Sequence, residues 1–457
     1  MPGTEPPLSD HQLVVPPPAL DDVRSDTERM LATLAKSVSG CNQMDIEVTR
    51  ALPSVLRSQK WTAQATVRDN NEVVALGPWP SRTLGVAVDL GTTKLAAYLL
   101  DVTTGVTLAA RGAMNPQIRY GEDVVARLTH ALSASDGSAK LTATVIDAIN
   151  GLVTELCDEA DMDRTRVLEA VIVANTAMHH LVLGLPVEQL SRAPYVPAAS
   201  GAMDIKAREL HINIGRSAYV HMPPVIAGFV GSDHVAALLA TRIDASAAPV
   251  MVVDIGTNTE VCLAANGHLA SASCASGPAF EGGHIRDGMR AAAGAIEHVQ
   301  MDGDMVRVQV VENGEPSGIC GSGILDALAE MTTHGVVDSK GRLNLEHPRV
   351  RHDGKTAEFV LVSEQQRAGK AALSVTQADV RQLQLAKAAI ASGIQALLEH
   401  ECMSSSQLSA IIVAGAFGSY IDVRSAIAIG MLPSIPLERF QQVGNAAGTG
   451  AKMALAS

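Results

Sequence analysis

Two apolar runs in this chain close on the same turn. "GVAVDLGTTK" spans residues 85–94 and "VMVVDIGTNTE" spans residues 250–260, so each strand-like run ends in Asp-x-Gly-Thr. Each is followed by two more strand-like runs, "KLAAYLLD" and "VTLAARGAM" in the first copy, "TEVCLAAN" and "GHLASASC" in the second. In the first copy helical spacing then appears at 122–134 and 139–160, before the buried strand "LEAVIVAN" and a helix at "TAMHHLVLG". In the second copy helices are expected at 281–294, 322–334 and 376–402, then the strand "SAIIVAG" and the helix "SYIDVRSAIAIG". The order βββ-α-β-α is written twice, which at this length is a duplicated domain and not a solenoid repeat. The expected fold class is therefore α/β with two similar lobes.

The turn itself has chemical content. Glycine lets the backbone turn sharply and approach a ligand. The amides and hydroxyls of Gly91, Thr92 and Thr93, and of Gly256, Thr257 and Asn258, can then cradle phosphate oxygens. Asp89 and Asp254, at the strand ends, can each hold a hydrated Mg²⁺, an ion that keeps several of its waters. One such loop is equally an ordinary hairpin turn; two in duplicated lobes suggest two jaws around one metal–nucleotide complex. Lys94 either reaches a phosphate or turns outward by strand alternation. Asn175 and Thr176 cap the helix after the first-lobe strand. Gly321, Ser322 and Gly323 open a helix suited to an anion. Gly415 and Gly418 leave room for a flat ring or ribose, unless they serve close packing alone. Glu281 is the candidate to orient an attacking water, with His284, Arg286 and Asp287 either beside it or on a solvated helix face. The adjacent His179 and His180 splay apart on a helix, which argues against a metal site. Ser232 or Asp233 reads as a helix cap.

A chain of 457 residues needs two or three domains. Four segments are expected: an extended, proline-rich arm over 1–20, a small α+β unit over 21–82, lobe I over 83–246, and lobe II with a closing helix over 247–457. Ser25 with Glu28, and Ser374 with Gln377, resemble capping boxes. The net charge of −13 speaks against a nucleic-acid surface. The N-terminus lacks a signal-peptide pattern, and the longest uncharged run, 402–421, is too polar to span a membrane. A cytoplasmic protein is expected. Six cysteines, at 41, 157, 262, 274, 320 and 402, form no C-x-x-C pair.

Five motifs in order resemble the superfamily of acetate and sugar kinases, Hsp70 and actin (ASKHA). "VAVDLGTTK" and "VVDIGTNTEV" resemble its two phosphate loops, "VIVANTAMHHL" its first connecting segment, "IIVAGAFGSYID" its adenosine segment and "NAAGTGAKMA" its closing helix. Within it, "NPQIRYGEDVVARL" (115–128), "AGFVGSDHVAALLA" (227–240), "CASGPAFEGGHIRDGMRAAAGAIE" (274–297) and "ICGSGILDALAEM" (319–331) are similar to the ATP-dependent reductive activators of corrinoid proteins, over residues 15–457. The resemblance implies a duplicated actin-like, ribonuclease H-like two-lobe ATPase fold. It implies an ATPase that returns Co(II) corrinoid to Co(I) on a cobalamin-binding partner, with ATP and Mg²⁺ as cofactors and a homodimer through the middle domain. It also places phosphate and Mg²⁺ contacts on Asp89, Gly91, Thr92, Thr93, Asp254, Gly256, Thr257 and Asn258, and adenosine over Gly415 and Gly418. Many relatives carry a [2Fe–2S] cluster on C-x₄-C-x₂-C, a spacing absent here. No cluster is expected in this chain, so a separate ferredoxin or reductase would supply the electron. The alternatives are a small-molecule kinase of the same superfamily and a nucleotide-gated binding module.

Overall fold

The computed structural model describes residues 6–352, 354–415 and 417–457. The chain forms two compact units, one holding residues up to Ala240 together with Ala447–Ser457, the other Thr241–Ala446.

The first unit opens with a four-stranded sheet ordered β1-β3-β4-β2. Its strands are β1 (Leu8–Val14), β2 (Gln43–Met44), β3 (Thr62–Arg68) and β4 (Glu72–Gly77), with helices α1 (Asp26–Leu34) and α2 (Ile46–Ser58) between them. Residues 8–14 of the expected arm are thus an edge strand, antiparallel to β3 from Leu8↔Arg68 to Val14↔Thr62. Leu13 and Val15 anchor it in a core with Met30, Leu34, Leu52 and Leu56. The capping box of Ser25 and Glu28 starts α1 as expected.

The larger sheet runs β7-β6-β5-β8-β10-β9. Its strands are β5 (Leu84–Leu90), β6 (Lys94–Asp101), β7 (Val106–Met114), β8 (Val167–Ala174), β9 (Met203–Lys206) and β10 (Tyr219–Met222). The meander β5–β6–β7 is antiparallel, and β8 lies parallel to β5, with Asp89 opposite Val173. Helices α3 (Val124–Ser133), α4 (Gly137–Ala160), α5 (Thr176–Val182) and α6 (Ser232–Thr241) complete this part. β8 is buried along its whole length, hence an apolar run broken only by Glu169.

The second unit repeats the pattern in a sheet ordered β13-β12-β11-β20-β21. Here β11 (Val250–Ile255), β12 (Thr259–Ala265) and β13 (His268–Cys274) form the antiparallel meander. Two three-stranded sheets follow: β14 (Ala295–Asp302), β15 (Met305–Val310) and β16 (Gly318–Ile319), then β17 (Val350–His352), β18 (Ala357–Val362) and β19 (Leu373–Thr376). β20 (Ala410–Ala414) lies parallel to β11 with Asp254 opposite Ala414, and β21 (Phe440–Gly444) closes the sheet. The helices are α7 (Gly321–Thr333), α8 (Gln377–His400) and α9 (Val423–Ala428). The closing helix α10 (Ala446–Leu455) packs in the first unit, where Ala451 and Leu455 meet Ala87, Leu100, Val171 and Ala236. Chain order had grouped it with lobe II; its apolar face belongs to the other core.

Two further expectations differ from the structure. Residues 281–294 form no long helix, only one tight turn over Ala279–Glu281. Gly282 and Gly294 sit at φ +83° and +86°, outside the helical region, and the Met289 amide binds the Ile319 carbonyl at 2.9 Å. The cap of α8 is Thr376 with Asp379, two residues beyond the expected pair, because Ser374 is still in β19 and donates its hydroxyl to Glu358. Among the described residues no helix is long and apolar enough to cross a membrane.

Candidate functional site

In the first unit the loop 91–93 joins β5 to β6 as a tight hairpin. A side chain on Gly91 would lie 2.6 Å from the Lys94 carbonyl, so only glycine fits. Asp89 is half-buried at the end of β5, and Thr92 is buried. The Thr92 hydroxyl accepts a bond from Asn175 Nδ2 at 3.0 Å, while Asn175 Oδ1 caps α5 by accepting from the Met178 amide at 3.0 Å. Asn175 therefore caps α5, as expected, and also reaches the loop from the neighbouring strand end. Thr176 does not share this role: its hydroxyl is spent on the Ala227 carbonyl at 2.6 Å. Lys94 is exposed at the start of β6, on the strand face opposite the buried Leu95.

Behind the loop stand two residues that sequence reasoning did not assign. Asn115 donates from Nδ2 to the Gly91 carbonyl at 2.9 Å and from its amide to the Thr93 carbonyl at 2.9 Å. Arg127, on α3, donates to the Thr92 carbonyl. Both lie within "NPQIRYGEDVVARL", but their target is over twenty residues away, which no local pattern reveals.

In the second unit Asp254, Thr257, Glu281 and Gly415 converge. Thr257 Oγ1 donates to Glu281 Oε1 at 2.8 Å. Gly415 has φ +91°, and a side chain there would stand 2.8 Å from the Asp254 carboxylate and 2.3 Å from the Ile255 carbonyl. Gly418 is packed against the Ala414 carbonyl in the same turn, where a Cβ would come within 2.2 Å. Ser276, also unassigned by sequence reasoning, donates to the Gly256 and Thr257 carbonyls at 3.3 and 3.4 Å. Asn258 is half-buried in the loop. At the start of α7, a Cβ on Gly321 would strike the Phe280 carbonyl and the Phe417 ring, which stacks on Phe280 at 5.6 Å. Gly321 thus joins this group. Ser322, buried, lies 3.4 Å from Cys320 Sγ, and Gly323 packs on the Ile296 carbonyl.

The remaining candidates serve the scaffold. Arg286 pairs with Asp287 and Glu358 and bonds Ser374, tying the 282–290 segment to β18 and β19. Ser232 is not a cap; its hydroxyl exchanges bonds with the Ala174 backbone at 3.0 and 3.2 Å. His180 bonds the Thr176 carbonyl and the Ala198 amide. His179 is fully buried, and burial lowers its pKa to about 4. Among the described residues no cluster of three or more His, Cys, Asp or Glu side chains could hold a metal ion. One carboxylate per loop, flanked by hydroxyls and packed glycines, instead fits a hydrated Mg²⁺ held through water and phosphate.

Three family models match the chain from end to end: the RACo linker region over residues 3–83, the RACo middle region over 84–246, and the C-terminal domain of RACo, the ASKHA domain, over 248–457. A solved reductive activator for corrinoid, iron–sulfur protein aligns with 100% of this chain and 74% of its own, at 33% identity and a TM-score of 0.88. The chain belongs to this family of reductive activators. Its fold class is accordingly the duplicated, actin-like ASKHA fold. A corrinoid activation enzyme, RamQ, of Eubacterium limosum is 34% identical over 382 residues, 82% of this chain. A [Co(II) methylated amine-specific corrinoid protein] reductase of Methanosarcina barkeri is 24% identical over 393 residues, 79% of this chain. The chain spans 64% of the length of the first of these relatives and 68% of the second.

Proposed function

We propose that this activator-family protein uses ATP to drive the one-electron reduction of a Co(II) corrinoid protein to Co(I). The observation that carries the reading is end-to-end similarity to a solved reductive activator, at 33% identity, in a chain that keeps an Asp-x-Gly-Thr loop in each unit. Asp89 in the first loop, and Asp254 in the second, would each suit a hydrated Mg²⁺, which would neutralise phosphate charge. Thr92, Thr93, Thr257 and Asn258 would line the phosphates, and the turn at Gly415 and Gly418 would lie under the adenosine. Glu281, which accepts a bond from Thr257 in the second loop, would orient the attacking water.

The electron would come from a separate ferredoxin or reductase. All six cysteines are free thiols, five of them buried, and none has the spacing of a plant-type cluster. Anaerobically purified chain should contain no stoichiometric iron or labile sulfide; two irons per chain would overturn this part of the reading. ATP hydrolysis tests the rest: phosphate release should need no small-molecule acceptor and should rise on adding the corrinoid protein. Release that needs a sugar or carboxylate acceptor would instead favour a kinase.

A further inference from the structure

Arg127 is a charged side chain with no exposed surface, hydrogen-bonded to four groups. Its partners are all neutral. Nε donates to the Gly121 carbonyl at 3.0 Å, Nη1 to Gln117 Oε1 at 3.3 Å and to Met178 Sδ at 3.2 Å, and Nη2 to the Thr92 carbonyl. Burial lowers its pKa to about 10, with Asp123 at the start of α3 opposing the shift, so the guanidinium stays charged at neutral pH. A buried charge whose hydrogen-bond partners are all neutral is costly. An anion arriving nearby removes part of that cost.

The loop geometry shows where such an anion belongs. Three successive carbonyls, those of Gly91, Thr92 and Thr93, accept bonds from Asn115 Nδ2, Arg127 and the Asn115 amide. In a planar trans peptide the carbonyl and the following N–H point in opposite directions. Carbonyls held inward at 91 and 92 therefore aim the amides of Thr92 and Thr93 to the other side of the loop. In the second unit the hydroxyl of Ser276 reaches the matching carbonyls, of Gly256 and Thr257, at 3.3 and 3.4 Å. Both loops are thus met at the same two carbonyl positions, and in the first loop one of the donors is a cation, Arg127.

We propose that Arg127 is a positioning residue for polyphosphate: with Asn115 it fixes the first loop with its amides outward, and its buried charge favours an anion on that side. This rests on the reading that a nucleotide binds at this loop. Arg127 would act through the loop, whose Thr92 carbonyl it binds, so its removal should affect phosphates selectively and leave adenosine binding alone.

The test is titration of the full chain with Mg-ATP and, separately, with adenosine. Arg127→Gln, which keeps a donor and loses the charge, should weaken ATP binding about tenfold and leave adenosine affinity within about twofold. Arg127→Lys, which keeps the charge and loses the fork, should fall between wild type and Gln. It carries the test alone if the Gln variant does not fold, and a Lys variant with wild-type ATP affinity then overturns the proposal. Unchanged ATP affinity in Arg127→Gln, or equal losses for ATP and adenosine, overturns it too. A wild-type chain that binds neither ligand overturns the nucleotide reading as well, which separates the two failures.

Discussion

Thr257 donates a hydrogen bond from its hydroxyl to Glu281 at 2.8 Å, so the carboxylate is held against the second loop by a bond that a neutral amide oxygen could also accept. Glu281→Gln should therefore keep the loop in place while removing a base. Phosphate release should fall about a hundredfold, with ATP affinity within about threefold, as measured by steady-state hydrolysis and equilibrium titration. Asp89→Ala and Asp254→Ala should each lower Mg²⁺-dependent hydrolysis by about a hundredfold as well. Equal rates in wild type and both variants would contradict the reading of these loops as phosphate loops. The placement of Asp89 and Asp254 at strand ends was legible in the sequence, because an Asp before Gly-Thr carries its own local geometry. Asn115, Arg127 and Ser276 were not. Each acts through contacts with a loop that neighbours it only in space, and a single sequence records no such pairing. Thr176 shows the converse. It has the right type in the right place, yet a nearby carbonyl takes its hydroxyl.

At the scale of elements, the small N-terminal sheet is joined to the sheet of the first lobe by charge as much as by apolar packing. Arg68 of β3 forms a two-pronged bond with Glu169 of β8, at 2.9 and 3.0 Å, and its guanidinium lies over the Tyr219 ring. Burial pushes the Glu169 carboxyl up to about 7 against the pull of Arg68. Arg68→Ala leaves that carboxyl buried and unpaired and should cost about 3–5 kcal/mol in urea unfolding. Asp45, before α2, receives Lys206 at 2.8 Å and Arg208 at 2.9 Å. Burial raises its pKa, but hydrogen bonds from Lys206, the Glu47 amide and Arg208 more than reverse this, and it settles at about 2. A carboxyl lowered on folding stabilises the fold above its unfolded pKa and loses that contribution as pH falls through the folded value. The loss, about 2 kcal/mol, should fall between pH 4 and 2, and Asp45→Asn should flatten the unfolding curve over that window.

The strand order of both lobes was legible because buried strands and glycine turns are local signals, and the duplication confirmed one copy by the other. The membership of α10 was not legible. Chain order assigns it to the second lobe, while its face, through Leu455 against Gly85 and Gly450 against the Ala236 carbonyl, is cut to fit the first. The missing helix at 281–294 has a similar cause: glycines that look tolerable singly in a helical pattern here take up positive φ.

For the molecule as a whole, the proposal is that the bound nucleotide sets how this chain engages a corrinoid partner. The energy needed is modest: moving a two-state equilibrium from 1:99 to 99:1 takes about 5.5 kcal/mol, which for one electron is about 240 mV. A change in cobalt coordination of that size would bring a reluctant reduction within reach of a low-potential donor. Visible absorbance of the cobalt under anaerobic conditions tests this most directly. The account predicts the Co(I) spectrum when corrinoid protein, this chain, Mg-ATP and a low-potential reductant are combined, and much slower reduction when either ATP or this chain is left out. Co(I) forming as fast with the reductant alone, or a chain that never binds the corrinoid protein, would contradict it.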